Sequence, residues 1–204
     1  MGLVRFLLIW AAVVVAIAVP IAAAAVSPQL EWRHPVYIAA GFAGIIALGL
    51  LLVQPLAIGG YLPGLAGRDG RRAHRWIGGM LVAAVVIHVG ALWISSPPDV
   101  VDALLFASPT PFSAWGVIAM WATFAAALLA ALRRRLHLRP RTWRIGHAFL
   151  AVIIVVGTIV HAILIEGTME TVSKLALCAL VLAATMKIVA DLRVWSSKRR
   201  SAEE

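Results

Sequence analysis

The sequence predicts an all-α integral membrane protein, a bundle of six transmembrane helices, from three observations. First, the chain has 204 residues, 62% of them hydrophobic and only 13% charged, about half the charged share of a soluble domain. Second, its mean hydropathy is +0.95. Third, six apolar stretches lie near residues 6–26, 36–58, 76–94, 112–132, 145–165 and 172–190. Each can cross a hydrocarbon layer of about 30 Å, which takes about 20 helical residues. This composition excludes a soluble globular enzyme, a disordered chain and a fibrous repeat. The whole of residues 1–204 reads as a single membrane domain.

Backbone groups must pair internally in lipid, so all six stretches are expected as helices. Turn-forming residues punctuate them. Ser27-Pro28 follows the first, Gly59-Gly60-Tyr61-Leu62-Pro63-Gly64 the second, Ser95-Ser96-Pro97-Pro98 the third, and Arg139-Pro140 precedes the fifth. The first stretch has a second reading. Arg5, an apolar run and Ala22-Ala23-Ala24-Ala25 also fit a signal peptide, although the run is longer than a usual signal core. An uncleaved helix is the expectation.

Charge orients the bundle. The N-terminus, second loop, fourth loop and C-terminus share one side. That side carries Arg5, Arg68, Arg71, Arg72, Arg75, Arg133, Arg134, Arg135, Arg139, Arg141, Arg144, Lys187, Arg193, Lys198, Arg199 and Arg200. The other side has Arg33 and Lys174, against Glu31, Asp99, Asp102, Glu166 and Glu170. This bias places both termini in the cytoplasm. It also accounts for the net charge of +9 without a nucleic-acid partner. Trp32, Trp76, Trp93, Trp115, Trp143 and Trp195 fall near span ends, where an aromatic belt belongs. Arginine outnumbers lysine and alanine is abundant, a composition that suggests a bacterial inner membrane.

No Asp or Glu lies mid-span, so proton pumps, cation transporters and voltage sensors are disfavoured. Lys187 is near enough to a helix end to snorkel. There is no phosphate-binding glycine loop and no Glu-x-x-His pattern for a di-iron site. One cysteine, Cys178, excludes an internal disulfide, a four-cysteine cluster and covalent haem attachment through Cys-x-x-Cys-His.

The intramembrane groups left with chemistry to offer are histidines. His74 and His88 on the third span are fourteen residues apart, as are His147 and His161 on the fifth. Fourteen residues is two heptads, which returns both rings to one stripe, about 21 Å apart along the axis. The two spans run in the same direction. His74 and His147 therefore share one depth near the inner edge, and His88 and His161 another in the outer half. An iron porphyrin between the helices can take one imidazole from each, so two levels give two haems, inner and outer. With both axial positions filled, each passes electrons rather than binding substrate. A zinc or copper site would bring three or four ligands to one depth, which this spacing does not.

Arg71 stands three residues before His74, and Arg144 three before His147, each one turn closer to the cytoplasm. With Arg75 they are candidate contacts for inner-haem propionates, or simply topology-setting charges. Gly78, Ala84, Ala151 and Gly157 lie one turn from the ligands. They either admit a porphyrin or pack helices in lipid. His137 reads as a solvated loop residue. His34 reads as a surface residue or, with Arg33, as an outer propionate or acceptor contact.

At these residues the chain resembles the ferric reductase-like transmembrane domain family, which includes iron reductases, NADPH oxidases and the haem-binding membrane subunit of a bacterial methionine-sulfoxide reductase system. The segments "RRAHRWIGG…IHVG" and "TWRIGHAFL…VHAI" are similar to its two haem-ligand helices. The resemblance implies that His74, His88, His147 and His161 ligate two b-type haems. It also implies electron transfer from the cytoplasmic to the outer face, as an oxidoreductase component. Full-length iron reductases and NADPH oxidases continue into a flavin- and nicotinamide-binding domain, whereas here only residues 196–204 follow the sixth span. The expected donor is a separate flavoprotein carrying FMN or FAD, a free reduced flavin, or a quinol. The expected acceptor at the outer face is ferric iron, oxygen or a periplasmic reductase, docking near residues 95–111. One alternative is a subunit feeding a periplasmic oxidoreductase such as a methionine-sulfoxide reductase. Another, of a different class, is a non-redox membrane scaffold with structural histidines.

Overall fold

The computed structural model describes residues 2–198, with side chains through Asp191. Arg199 and Arg200 lie outside the described residues, as do the side chains of Arg193, Trp195 and Lys198. Seven α-helices and no strand occur among the described residues: α1 (Leu3–Ala25), α2 (Pro35–Ile58), α3 (Arg68–Ser95), α4 (Pro97–Leu104), α5 (Pro111–Leu132), α6 (Pro140–Leu164) and α7 (Thr171–Lys198). All but α4 are long and apolar enough to cross a membrane, which makes this a multi-pass membrane protein. The third and fifth spans of the sequence are α3 and α6.

Local chemistry sets the ends. Proline opens α2, α4, α5 and α6, where its fixed φ suits a first turn and its missing N–H is not needed. Entry to α3 turns on Gly67, whose φ of 57° lies in the left-handed region that glycine adopts cheaply. The helix then starts at Arg68, eight residues before the apolar stretch, with Asp69 in its first turn. An acidic residue there complements the helix dipole, and arginine is a good helix former, so the polar lead-in stays helical. α7 is opened by Glu170, whose carboxylate accepts from the backbone N–H groups of Val172 and Ser173, both at 2.7 Å. The short α4 within the third loop is an element that the span count does not reveal. Its start is fixed by Pro97 and by the Ser96 hydroxyl donating to Asp99.

The bundle is two hairpins and a strap. α2 packs chiefly on α3 and α5 chiefly on α6, while α7 lies against both α2 and α6. α1 rests on α2 and α7, and its Trp10 indole donates to the Pro63 carbonyl at 3.2 Å. One apolar cluster joins the five inner helices, from Leu48, Leu51 and Leu52 of α2 through Leu81, Ala126 and Val155 to Leu177 and Val181 of α7. At the arginine-rich end, Lys187 pairs with Asp191 at 2.8 Å and Tyr61 donates to the same carboxylate. This ties α7 to the loop after α2.

Small residues do the close packing. A Cβ on Gly157 would stand 3.1 Å from both the Ala119 Cβ and the Trp115 carbonyl of α5, and one on Gly78 would stand 3.0 Å from the Gln54 amide of α2. Ala84 is buried in the core cluster. These positions therefore seat α3 on α2 and α6 on α5, the helix-packing role of small residues in membranes.

Candidate functional site

The four span histidines meet in two pairs. His74 and His147 have ring centroids 6.1 Å apart with planes at 77°, and His88 and His161 are 6.4 Å apart at 83°. The earlier residue of each helix pairs with the earlier of the other, and the later with the later. α3 and α6 therefore run parallel and in register, as the equal fourteen-residue spacing predicts. Two imidazoles sharing one metal need two bonds of about 2.0 Å plus ~1.1 Å from each ring centre to its nitrogen, or about 6.2 Å between centres. Both pairs match that separation. Among the described residues, no three His, Cys, Asp or Glu side chains gather as a metal site, so each level offers two nitrogen donors.

The rings of the second pair are aimed by backbone. His88 Nδ1 lies 2.7 Å from the Ala40 carbonyl of α2, and His161 Nδ1 lies 2.8 Å from the Phe112 carbonyl of α5. An Nδ1–H donating there fixes the tautomer, leaves the lone pair on Nε2 and raises the basicity of the ring. Four residues after each carbonyl comes a glycine against the same ring. A Cβ on Gly44 would stand 3.2 Å from His88 Nδ1, and one on Gly116 would stand 2.7 Å from His161 Nδ1. The Ala40–Gly44 and Phe112–Gly116 steps are the same device built twice, once in each hairpin.

The first pair is less symmetric. His74 Nδ1 lies 3.3 Å from the Gln54 backbone carbonyl. His147 Nδ1 is buried without a hydrogen-bond partner, and so is the indole nitrogen of Trp143. Trp143 stacks on His147 with centroids 5.4 Å apart and planes at 9°, and the Arg133 guanidinium sits 4.2 Å above the Trp143 ring. An unbroken line of contacts thus runs from the arginine loop to a candidate ligand.

Other sequence candidates fall where their chemistry dictates. Arg71, Arg75 and Arg144 are exposed near the first pair, at the arginine-rich end. His34 is exposed and caps α2, its Nδ1 accepting from the Val36 N–H at 3.3 Å. Its neighbour Arg33 lies over the Tyr37 ring, 4.7 Å from its centroid. His137 is exposed in the turn after α5, at a φ of 45°. Trp32, Trp76, Trp93 and Trp115 are exposed, whereas Trp143 turns inward onto His147. Gly44, Gly116, Gln54 and that stacking role escape the sequence because each depends on which faces of α2, α5 and α6 meet. The nearest signal is that Gln54 is a lone polar residue inside an apolar run.

Comparison with known protein families matches residues 43–158 to the ferric reductase like transmembrane component. That stretch runs from the first half of α2 into the last third of α6, taking in His74, His88 and His147 and ending three residues before His161. No curated protein matches the chain, and no solved structure does.

Proposed function

The chain belongs to the ferric reductase-like transmembrane component family, and from that membership and the paired imidazoles we propose that it carries electrons across a membrane through two b-type haems. In this reading His74 and His147 hold one haem and His88 and His161 the other. The observation that carries it is the spacing of the rings, 6.1 and 6.4 Å, at two levels on parallel helices. Held by one imidazole from each helix, such a group would supply outer-sphere electron transfer. The remaining chemistry belongs to the chain. The Ala40 and Phe112 carbonyls hold two rings in the ligating tautomer. Gly44 and Gly116 let those rings lie against α2 and α5.

The arginine-rich end, with both termini, is proposed as the cytoplasmic side of a bacterial inner membrane. Arg71, Arg75 and Arg144 there would meet the propionates of the first haem. Its donor would be a flavoprotein with FMN or FAD, a free reduced flavin or a quinol, drawn to the loop of Arg133, Arg134 and Arg135. At the opposite end electrons would pass to ferric iron. A second reading, in which the acceptor is a periplasmic oxidoreductase, is favoured by α4, which gives that end an ordered surface with Leu105 and Phe106 exposed.

The deciding experiment is a reduced-minus-oxidised spectrum with haem quantification on the purified full chain. Two low-spin b-type haems per chain are expected. His88→Ala should remove one and His74→Ala the other. A colourless protein, or variants that retain both haems, would overturn the reading in favour of structural histidines.

A further inference from the structure

Gln54 is a polar side chain buried in an apolar run near the arginine-rich end of α2, beside His74. Its carboxamide satisfies the backbone around it in one orientation. The amino group then donates to the His74 carbonyl at 3.1 Å, and the oxygen accepts from the Gly78 N–H at 2.7 Å. In that orientation the amino group also donates to His74 Nδ1. A ring nitrogen that accepts a hydrogen bond carries no proton, so the proton must sit on Nε2, the nitrogen a metal would need. The Gln54 backbone carbonyl, 3.3 Å from the same Nδ1, asks for the opposite tautomer. His74 is thus held between two partners from one residue that demand different proton positions. His88 and His161 face a carbonyl at Nδ1, at 2.7 and 2.8 Å.

We propose that Gln54 is a positioning residue that sets the tautomer of His74 and makes the two ligands of the first pair unequal. The inference rests on the two-haem reading for its consequence, though not for its tautomer. While the amide donates to Nδ1, His74 keeps its proton on Nε2. Reversing the amide turns its oxygen to Nδ1, moves the proton there and frees Nε2. The register of the second hairpin explains the inequality. Gln54 follows Gly44 by ten residues, and the residue ten after Gly116 is Ala126. His147 consequently meets no amide, and its Nδ1 stays unpartnered.

Two measurements on the full chain test this. Nitrogen-15 NMR of histidine-labelled, haem-free protein reads the tautomer of each ring directly. His74 is expected as the Nε2–H form and His88 and His161 as the Nδ1–H form, with His74 switching to Nδ1–H in Gln54→Leu. If wild-type His74 shares the tautomer of His88 and His161, the proposal is overturned without reference to any variant. In loaded protein, potentiometric titration should show one of the two midpoints rising in the order Gln54→Glu, wild type, Gln54→Leu, because an acceptor at Nδ1 makes the ligand more basic. The other midpoint should stay fixed. Two unmoved midpoints, or equal shifts in both, would overturn the role in ligation. A chain that takes up no haem would sink the electron-transfer reading, while the NMR result would still decide what Gln54 does to His74.

Discussion

Gly116 and His161 lie so close that a Cβ on the glycine would stand 2.7 Å from Nδ1 and 2.9 Å from Cε1 of the ring. The imidazole is itself held by the Phe112 carbonyl, so it cannot yield without losing that bond. Gly116→Ala should therefore displace the ring and remove or loosen the second haem, leaving the first intact. Gly44→Ala, whose Cβ would meet His88 at 3.2 Å, should shift the same haem spectrally and retain it. Haem-to-protein ratio and the low-spin spectrum of each variant check this; equal retention in both would show that the rings are not so confined.

The near-perpendicular ring planes, 77° and 83°, make a spectroscopic prediction. Crossed imidazoles leave the two iron dπ orbitals facing them close in energy, so both oxidised centres should give strongly anisotropic low-spin EPR signals. Ordinary rhombic signals from both would mean that the ligand planes align on loading.

Electron entry is predicted to pass the arginine loop. Neutralising Arg133, Arg134 and Arg135 together should slow reduction of the haems by a reduced flavin donor, most steeply at low salt, and leave haem content unchanged. Trp143→Leu should slow the same step, since Trp143 is the link that joins Arg133 to the His147 ring. Stopped-flow reduction rates across ionic strengths decide the matter, and rates equal to wild type would move the entry point elsewhere.

Gly70 predicts a pure stability effect. A Cβ there would stand 2.7 Å from the Leu65 carbonyl and 2.5 Å from that of Ala57, and backbone cannot step aside. Gly70→Ala should cost about 1–3 kcal/mol, the usual range for overpacking, and lower the thermal midpoint in detergent without altering the haem spectrum of the folded fraction.

Glu170 links stability to acid. The Ser173 and then the Val172 backbone N–H groups hold its carboxyl below the ordinary carboxylate value, helped by the Ser173 hydroxyl and the charge of Lys174. A carboxyl lowered by folding stabilises above its unfolded pKa, and the contribution disappears as pH falls through the folded value. Thermal melts should show wild type losing an increment below the normal carboxyl range that Glu170→Gln lacks at every pH. Parallel melting curves would rule out the cap.

Much of this arrangement was legible from residue spacing. Fourteen residues between His74 and His88, repeated between His147 and His161, specify two levels, and the basic loops imply co-directional spans. The structure adds parallel, in-register pairing. What spacing could not reveal is what stands behind each ring. Gly44, Gly116 and Gln54 act from α2 and α5, and only the packing of those helices on α3 and α6 brings them there. Trp143 is a similar case: near a span end it reads as an interfacial anchor, and helix rotation puts its ring on His147 instead. α4 lay hidden because eight residues cannot register in a search for spans.

The strap has a consequence at a distance. α7 bears no histidine, yet it lies on one helix of each hairpin and sets how far apart they stand. Its Leu177 and Val181 are almost wholly enclosed, at 1% and 0% exposure. Whittling either to a smaller side chain would let the halves breathe against each other, smearing the absorption bands of the haems proposed between the histidine pairs. Lesions that look purely architectural would then surface first as a blurred colour.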